Sequence, residues 1–477
     1  MQQQLEEQLA PLQKRIPVFT RSVKGAFRRF KSTVLVMAYA IFFGLPWLPW
    51  VRTDAPSQAV LFDLPGRRFL IFNLTVYPQD VVWLALLLFI SAVLLFFVTG
   101  LVGRAFCGYF CFQTLWTDLF IWIEAKIQGE RPARIRLFRQ PWDKEKSLKL
   151  GLTHFIWMCA AFWTGLTFVA YFTYAPQLVI DFFTGLAATA AYLTVGILTV
   201  STYAAAGLMR EQVCTYICPY GRFQSVMYDP ETLAVHYDAA RGEGTHGRTG
   251  ARSGLRTIEE RKAQGHGDCI DCSMCVQVCP AGIDIRDGLQ YKCISCGLCI
   301  DACNSIMESM NFPGGLIRYD SESNLAKLQP QKPYLHWKRL KIIGYGVALL
   351  AMTAYLVYSV VTRSDFDRSI SQIRQPLYVV LSNGDIRNRY QIRITNTADH
   401  DESYSVSTQD IPAFALDLGN FSEVSIKPGH SATVMASVRL PPENAAKIRE
   451  FHFRITPKSR PDEARSEQVR FDFNLTQ

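Results

Sequence analysis

Two hydrophobic periodicities divide this chain of 477 residues. Long uncharged runs come first. Segments 33–50, 81–102, 152–174, 186–208 and 342–361 contain no Asp, Glu, Lys or Arg, and a helix needs roughly 20 apolar residues to cross a bilayer. They predict five transmembrane helices. Pro46 and Pro49 interrupt the end of the first, where Trp47 and Trp50 suit a membrane–water interface. From residue 375 onward the period shortens to two. Tyr390, Ile392 and Ile394 alternate with polar residues, as do Tyr404 and Val406, then Phe451, Phe453 and Ile455, then Val469, Phe471 and Phe473. Turn signals at Asn383-Gly384, Lys427-Pro-Gly429 and Pro441-Pro442 separate them. About eight short strands over 375–477 predict a β-sandwich, an immunoglobulin-like domain without an inter-sheet disulfide.

The remaining segments show neither period. Residues 1–32 read as a polar, mobile arm with a basic amphipathic stretch. Residues 230–268, rich in Gly, Arg and small polar residues between Asp238 and Asp268, have too few apolar side chains for a core and predict a flexible linker. The fold class expected is a multi-domain membrane protein. Its parts are a four-helix membrane region over 33–229, a cysteine-rich domain over 269–335, a fifth helix over 342–361 and the sandwich.

Composition alone hides this division, because the mean hydropathy is only +0.07. The net charge of +9 would be compatible with nucleic acid, but its distribution points to membrane topology instead. Lys14, Arg15, Arg21, Lys24, Arg28, Arg29 and Lys31 precede the first span. Arg104, Lys126, Arg131, Arg134, Arg136, Arg139, Lys144, Lys146 and Lys149 follow the second. The loop between spans one and two has only Arg52, Arg67 and Arg68, and residues 175–185 have no basic residue. The positive-inside rule then puts the N-terminus and the cysteine-rich domain in the cytoplasm and everything after residue 361 outside. All 13 cysteines precede Asn304, on the side where a reducing compartment protects thiols. The polar, basic first thirty residues predict no cleavable signal peptide.

Eight of those cysteines repeat one spacing: Cys269-x2-Cys272-x2-Cys275-x3-Cys279-Pro280, then Cys293-x2-Cys296-x2-Cys299-x3-Cys303. Paired C-x2-C units also bind zinc, but zinc has no use for two identical tandem quartets. In bacterial two-cluster ferredoxins the fourth cysteine of each run ligates the other cluster. That rule assigns Cys269, Cys272, Cys275 and Cys303 to one [4Fe–4S] cluster, and Cys293, Cys296, Cys299 and Cys279 to a second. Asn304, where proline follows Cys279 in the first run, leaves ligation intact.

Two further pairs lie just beyond spans two and four: Cys107-Gly-Tyr-Phe-Cys111 and Cys214-Thr-Tyr-Ile-Cys218. Their recurrence predicts an internal repeat of two helical hairpins, with both sulfurs of a pair on one helix face. Four soft sulfurs could bind Cu(I), support a third metal centre or cycle between dithiol and disulfide; the alternative is small residues packing between helix ends. His154 and Met158, four residues apart in span three, are weaker copper candidates beside an ordinary structural role. Cys159 reads as packing, and His246 and His266 as marginal metal captors. One intramembrane histidine excludes a bis-histidine haem there. No Cys-x-x-Cys-His, Walker A or Rossmann glycine motif is present.

These residues resemble the cytochrome c oxidase accessory family CcoG/FixG/RdxA, membrane-bound polyferredoxins. The resemblance rests on Arg104-Ala-Phe-Cys-Gly-Tyr-Phe-Cys111, on Cys214-Thr-Tyr-Ile-Cys-Pro-Tyr-Gly-Arg-Phe-Gln224, on Gly267-Asp-Cys-Ile-Asp-Cys272, and on the run from Met310 through Phe312-Pro-Gly-Gly-Leu-Ile-Arg-Tyr-Asp320. Phe112 departs from it, standing where proline is expected. The family implies reduction of Cu(II) to Cu(I) during assembly of a cbb3-type cytochrome c oxidase, making the chain a cupric reductase with copper as substrate. It also implies a bacterial inner membrane with the sandwich in the periplasm, and a copper transporter, copper chaperones and oxidase subunits as partners; the apolar spans themselves imply membrane lipid, and the charge distribution no nucleic acid. Related polyferredoxins suggest a second role, a conduit from quinol to an extracytoplasmic reductase. A third is a non-enzymatic assembly scaffold.

Overall fold

A computed structural model describes residues 18–52, 56–250, 254–255, 257–327, 334–363, 365–398, 400–419, 421, 423–445 and 447–472. Phe473 and residues 1–17 of the expected arm lie outside them. The chain forms two units, one holding the residues up to Thr75 and Val82–Ala354, the other Val76–Val81 and the chain from Tyr355.

The helices used below are α1 (Ala26–Gly44), α2 (Val81–Val102), α3 (Ala105–Tyr109), α4 (Phe112–Gln128), α5 (Arg131–Arg139), α6 (Lys144–Ala170), α7 (Ala175–Thr184), α8 (Thr189–Thr202), α9 (Pro219–Met227), α10 (Met274–Gln277), α11 (Leu298–Ser309) and α12 (Leu340–Val361), all in the first unit except Val81 and the end of α12 from Tyr355. Five helical stretches are long and apolar enough to span a membrane: Ala26–Trp47, Val81–Val102, Lys144–Ala170, Thr189–Met209 and Leu340–Val361. Large apolar side chains such as Leu88, Phe89, Ile197 and Leu350 stand outward on them, as lipid-facing surfaces require. Span four ends in a π-helical stretch, Tyr203–Met209, and a second π-helical turn follows at Val213–Ile217. Such turns often mark functional sites. The pattern gave no warning of β1 (Val60–Asp63), β2 (Arg68–Ile71) and β3 (Leu74–Val76), a small sheet between spans one and two, nor of α7 between spans three and four.

The N-terminal segment differs from the free arm that its polarity predicted. Residues 18–25 are extended, with the Arg21 amide donating to the Gln277 carbonyl at 2.8 Å, and α1 begins at Ala26 rather than at residue 33. Its first N–H groups are satisfied from another element: Asp301 on α11 accepts from the amides of Phe27 and Arg28 at 3.2 and 2.7 Å. Arg28 and Lys31 meet Asp118 of α4 at 2.9 and 3.3 Å, and Lys31 is only 1% exposed. Two of the charges that looked like a membrane-surface stripe, Arg28 and Lys31, instead form ion pairs joining α1 to α4, while Arg21, Lys24 and Arg29 stay exposed.

The linker prediction over 230–268 also fails. β4 (Ala234–Tyr237) pairs antiparallel with β5 (Ile317–Asp320), Val235 opposite Tyr319, so the ferredoxin fold begins near Ala234 rather than at Cys269. Arg261 takes the place of an apolar core: fully buried, it donates to the carbonyls of Gly267 at 2.9 Å, Thr249 at 2.9 Å and Cys269 at 2.8 Å. A guanidinium satisfying three carbonyls orders glycine-rich backbone without apolar side chains. Residues 251–253 and 256 lie outside the description.

The second unit is a sandwich of the strands β6 (Phe366–Gln372), β7 (Val379–Val380), β8 (Ile386–Asn396), β9 (Glu402–Gln409), β10 (Leu416–Asp417), β11 (Glu423–Ile426), β12 (Ser431–Leu440), β13 (Glu450–Pro457) and β14 (Arg465–Arg470). One sheet runs β10-β12-β8-β6 with β7 on β8; the other runs β11-β9-β13-β14. The alternating residues named above fill its core, with Tyr390, Ile392, Ile394, Phe451, Phe453 and Ile455 fully buried. The Lys427-Pro-Gly429 turn joins β11 to β12 and so carries the chain between sheets, with Gly429 at φ 70°.

Candidate electron-transfer centre

Both cysteine runs fold into the same loop. In the first, Asp271 and Ser273 take left-handed backbone at φ 50° and 56°; in the second, Ser295 and Gly297 do so at the equivalent positions, φ 50° and 71°. Three of these are not glycine, a conformation costing about 1–2 kcal/mol per residue. Strain repeated at one register position marks a loop shaped for its function. Each loop then enters a helix: α10 carries Cys275, with Cys279 two residues past its end, and α11 carries both Cys299 and Cys303.

The loops enclose two cavities of about 380 Å3 each. One is walled by Cys269, Cys272, Cys275 and Cys303, with Ile270, Met307, Leu316 and Ile317. The other is walled by Cys279, Cys293, Cys296 and Cys299, with Ile283, Ile285 and Ile294; Cys275 touches it too. The crossover is therefore present in the backbone, since Cys279 and Cys303 each lie in the cavity of the other run. Among the described residues no three His, Cys, Asp or Glu side chains converge as a single ion would require. Four soft donors around an apolar void suit a cubane rather than zinc.

Burial raises these thiols, Cys275, Cys293 and Cys303 to about 12 and Cys279 to about 11, with Cys299 well above its ordinary value. Thiolates in such surroundings need a cation, which ligated iron supplies. One arginine stands by each cavity. Arg286 lines the first, held by Asp284 at 2.6 Å and by Asp271. Arg104 reaches the ligand loop of the second, donating to the carbonyls of Tyr291 and, at 3.4 Å, Cys293.

The membrane-proximal cysteine pairs dock on that second loop. The position of Gly108 leaves no space: a Cβ there would lie 2.7 Å from the Ile294 carbonyl oxygen and 3.0 Å from Cys296 Cα. Tyr109 donates its hydroxyl proton to the Cys296 carbonyl at 2.9 Å. Gln224 Oε1 accepts from Arg104 Nε at 2.8 Å and from Cys107 Sγ at 3.3 Å, tying the Cys107 motif to α9 behind Cys218. The two pairs share a backbone pattern that differs from the single helix face expected. Cys107 sits in α3 and Cys214 in a π-helical turn, while Cys111 and Cys218 are extended, ψ 129° and 112°, and cap α4 and α9. Pro219 opens α9 at a position that favours proline; Phe112 opens α4 and stacks on Trp116 at 4.0 Å. Burial pushes Cys107 up to about 12, Arg104 opposes this, and Cys111, Cys214 and Cys218 push further. Burial likewise raises Cys214 to about 11, with Cys111 and Cys218 adding to it. The four sulfurs thus lie within electrostatic range of one another.

Three profile matches follow this architecture: a 4Fe-4S dicluster domain over residues 209–322, a 4Fe-4S binding domain over 84–129, and the IG-like fold at the C-terminal of FixG, an oxidoreductase by its description, over 356–474. Protein RdxB of Cereibacter sphaeroides is 40% identical across 88% of this chain and 86% of its own. Protein RdxA of the same organism is 40% identical across 82% of each. The chain belongs to the FixG/RdxA family. Nitrogen fixation protein FixG of Rhizobium meliloti is 36% identical across 92% of this chain and 89% of its own. A FixG-related protein from Vibrio parahaemolyticus, with a crystal structure matching 24% of this chain and 100% of that one, is 17% identical at a TM-score of 0.20, too loose to weigh. Membership makes this FixG/RdxA protein a membrane-bound iron–sulfur oxidoreductase that transfers electrons.

The other sequence candidates separate. His154 Nδ1 is bonded to the Tyr203 hydroxyl at 2.9 Å, whereas Met158 is 43% exposed. Cys159 is exposed, not packed. His246 and His266 bond the carbonyls of Gln264 and Gly247. Sequence reasoning assigned no role to Arg104, Tyr109, Gln224, Asp118 or Asp301. Arg104 had one signal, a charge two residues beyond an uncharged span of 22 residues.

Proposed function

We propose that this protein reduces Cu(II) to Cu(I) for assembly of a cbb3-type cytochrome c oxidase. Cys269, Cys272, Cys275 and Cys303 hold one [4Fe–4S] cluster, and Cys279, Cys293, Cys296 and Cys299 the other. A bound cluster supplies single electrons, the unit that the copper couple takes. The carrying observation is the close packing of the Cys107–Cys111 segment on the Cys296 backbone. It brings a soft-donor group against the ligand shell of the second cavity with no intervening layer. Cys107, Cys111, Cys214 and Cys218 supply the copper donors, two at a time since no three of them converge on one point, because thiolates hold the univalent ion better than the divalent one. Copper approaches through a cavity of about 470 Å3 whose walls include Cys214, Glu211, Pro280 and Ile294. The protein works in the bacterial inner membrane with its ferredoxin fold in the cytoplasm and its sandwich in the periplasm. Its Cu(I) passes to a copper transporter, chaperone or oxidase subunit.

The test is Cu(II) added without oxygen to dithionite-reduced protein. Wild type should reoxidise with stoichiometric Cu(I). Cys214→Ser with Cys218→Ser should keep the iron–sulfur EPR signals yet lose Cu(I) binding and most reduction, and Cys159→Ser should match wild type. Undiminished reduction by the double variant would remove copper from these pairs. Reoxidation by a quinone but not by copper would favour a quinol-linked conduit instead.

A further inference from the structure

A cavity of about 920 Å3, distinct from those above, opens among α4, α5, α6 and the Tyr203–Met209 turn. Its polar wall is unusual. Arg134 is 1% exposed and donates Nη2 to the Thr20 carbonyl, but neither Nε nor Nη1 has a hydrogen-bond partner. Nη1 stands 3.7 Å from Glu124 Oε2, an oxygen that Arg210 already holds at 2.7 Å. Lys146, also on this wall, donates to the carbonyls of Phe138 and Gln140 at 3.1 and 2.7 Å, with its ammonium over the Trp142 ring at 5.2 Å. The cavity wall thus carries three cations, Arg134, Lys146 and Arg210, and one carboxylate, Glu124, and a buried guanidinium with two unsatisfied nitrogens is costly unless something accepts from it. An anion fits the site.

Depth identifies which kind. Helix α6 opens with Lys144, Lys146 and Lys149, then carries no Asp, Glu, Lys or Arg from Leu150 to Ala170, so the polar–hydrocarbon boundary falls near Leu150. The cavity straddles it, with Arg134 and Lys146 on one side, and Leu150, His154 and Trp157 on the other. Exposed apolar side chains flank the opening: Phe138 at 58% and, close by in sequence, Trp142 at 74%. A charged group at this level on an apolar body is a phospholipid headgroup. Basic pockets between transmembrane helices take such headgroups.

We propose that this cavity binds the phosphate of an anionic phospholipid, with Arg134 and Lys146 as its donors and the acyl chains on the Leu150–Trp157 side. The site holds none of the copper-donor cysteines and shares only Arg210 with the cavity on the copper approach. It clamps α5 and the extended segment at Thr20 to the membrane boundary.

Full-length protein, stripped of lipid by detergent exchange, tests this by native mass spectrometry and thermal unfolding. Phosphatidylglycerol should be retained at one molecule per chain and raise the midpoint; phosphatidylcholine and inorganic phosphate should do neither at the same concentration. Arg134→Met should weaken phosphatidylglycerol binding at least tenfold. Leu150→Trp fills the apolar side while leaving every cation in place, so it should also lose the lipid even if Arg134→Met misfolds. Equal binding of phosphatidylcholine, or inorganic phosphate serving as well, would overturn the proposal. So would protection by a short-chain quinol that phosphatidylglycerol does not displace.

Discussion

Replacing Gly108 by alanine adds one methyl group at the contact between a membrane-proximal cysteine pair and a cluster loop. Its Cβ would meet the Ile294 carbonyl oxygen at 2.7 Å, Cys296 Cα at 3.0 Å and Cys296 N at 3.2 Å. Carbon contacts settle at roughly 3.5–4.0 Å, and all three neighbours are backbone, so the ligand loop must retreat by about half an ångström. Overpacking of this kind costs typically about 1–3 kcal/mol. Alanine in a helix gains about 1 kcal/mol over glycine, which offsets part of it. Gly151→Ala separates the two terms, because nothing lies within 4 Å of its Cβ and only the propensity gain remains. Thermal unfolding in detergent should place Gly151→Ala at or above wild type and Gly108→Ala below it, a gap worth about 1–3 kcal/mol. EPR of the reduced protein should show one cluster signal altered in Gly108→Ala, that of the Cys296 cavity, and the other unchanged. Equal melting of the two variants with both signals intact would refute the close contact between pair and cluster loop.

Cys269→Ser and Cys303→Ser should damage the same EPR signal although they lie at opposite ends of the motif; separate signals would reverse the crossover assignment. Burial alone would raise the Asp118 carboxyl, yet Lys31 and Arg28 hold it below its ordinary value. Its stabilisation is therefore complete above about pH 4 and is lost as pH falls through its lowered folded value. Asp118→Asn, which strands a buried lysine, should cost about 3–5 kcal/mol near neutrality, and the gap to wild type in a melting series should close only in strong acid. A reporter active only outside the cytoplasm should work when fused after Gln477 and fail when inserted between Asp238 and Thr249; the opposite pattern would invert the topology.

Periodic features were legible and compensated ones were not. The sandwich strands announce themselves because Tyr390, Ile392 and Ile394 face one core, and the cysteine spacing carries its own geometry. The segments over 18–32 and 230–268 misled for a single reason: their order comes from polar groups finding polar partners, which a hydrophobic pattern does not show. Arg28 and Lys31 look solvent-bound until Asp118 is opposite them. Arg261 looks like a linker residue until it is found inside a ring of carbonyls. The pairs at Cys107 and Cys214 were placed correctly in the chain. Their shape was not foreseen, because a spacing of four suggests one helical turn whether or not the second cysteine leaves the helix to cap the next.

The exchange of Cys279 and Cys303 between the two cavities also sets a timetable for biogenesis. Cys303 is the last cysteine of the chain and completes the cavity begun by Cys269, while Cys279 waits for the run that starts at Cys293. On a growing chain, the second quartet is incomplete until residue 299 and the first until residue 303, by which time four membrane helices precede them and α12 has yet to be synthesised. Iron and sulfide loaded earlier would find three thiols and a neighbour from the wrong set. Metallation of this fold is therefore a late event, and truncation before Cys299 forfeits both quartets rather than one.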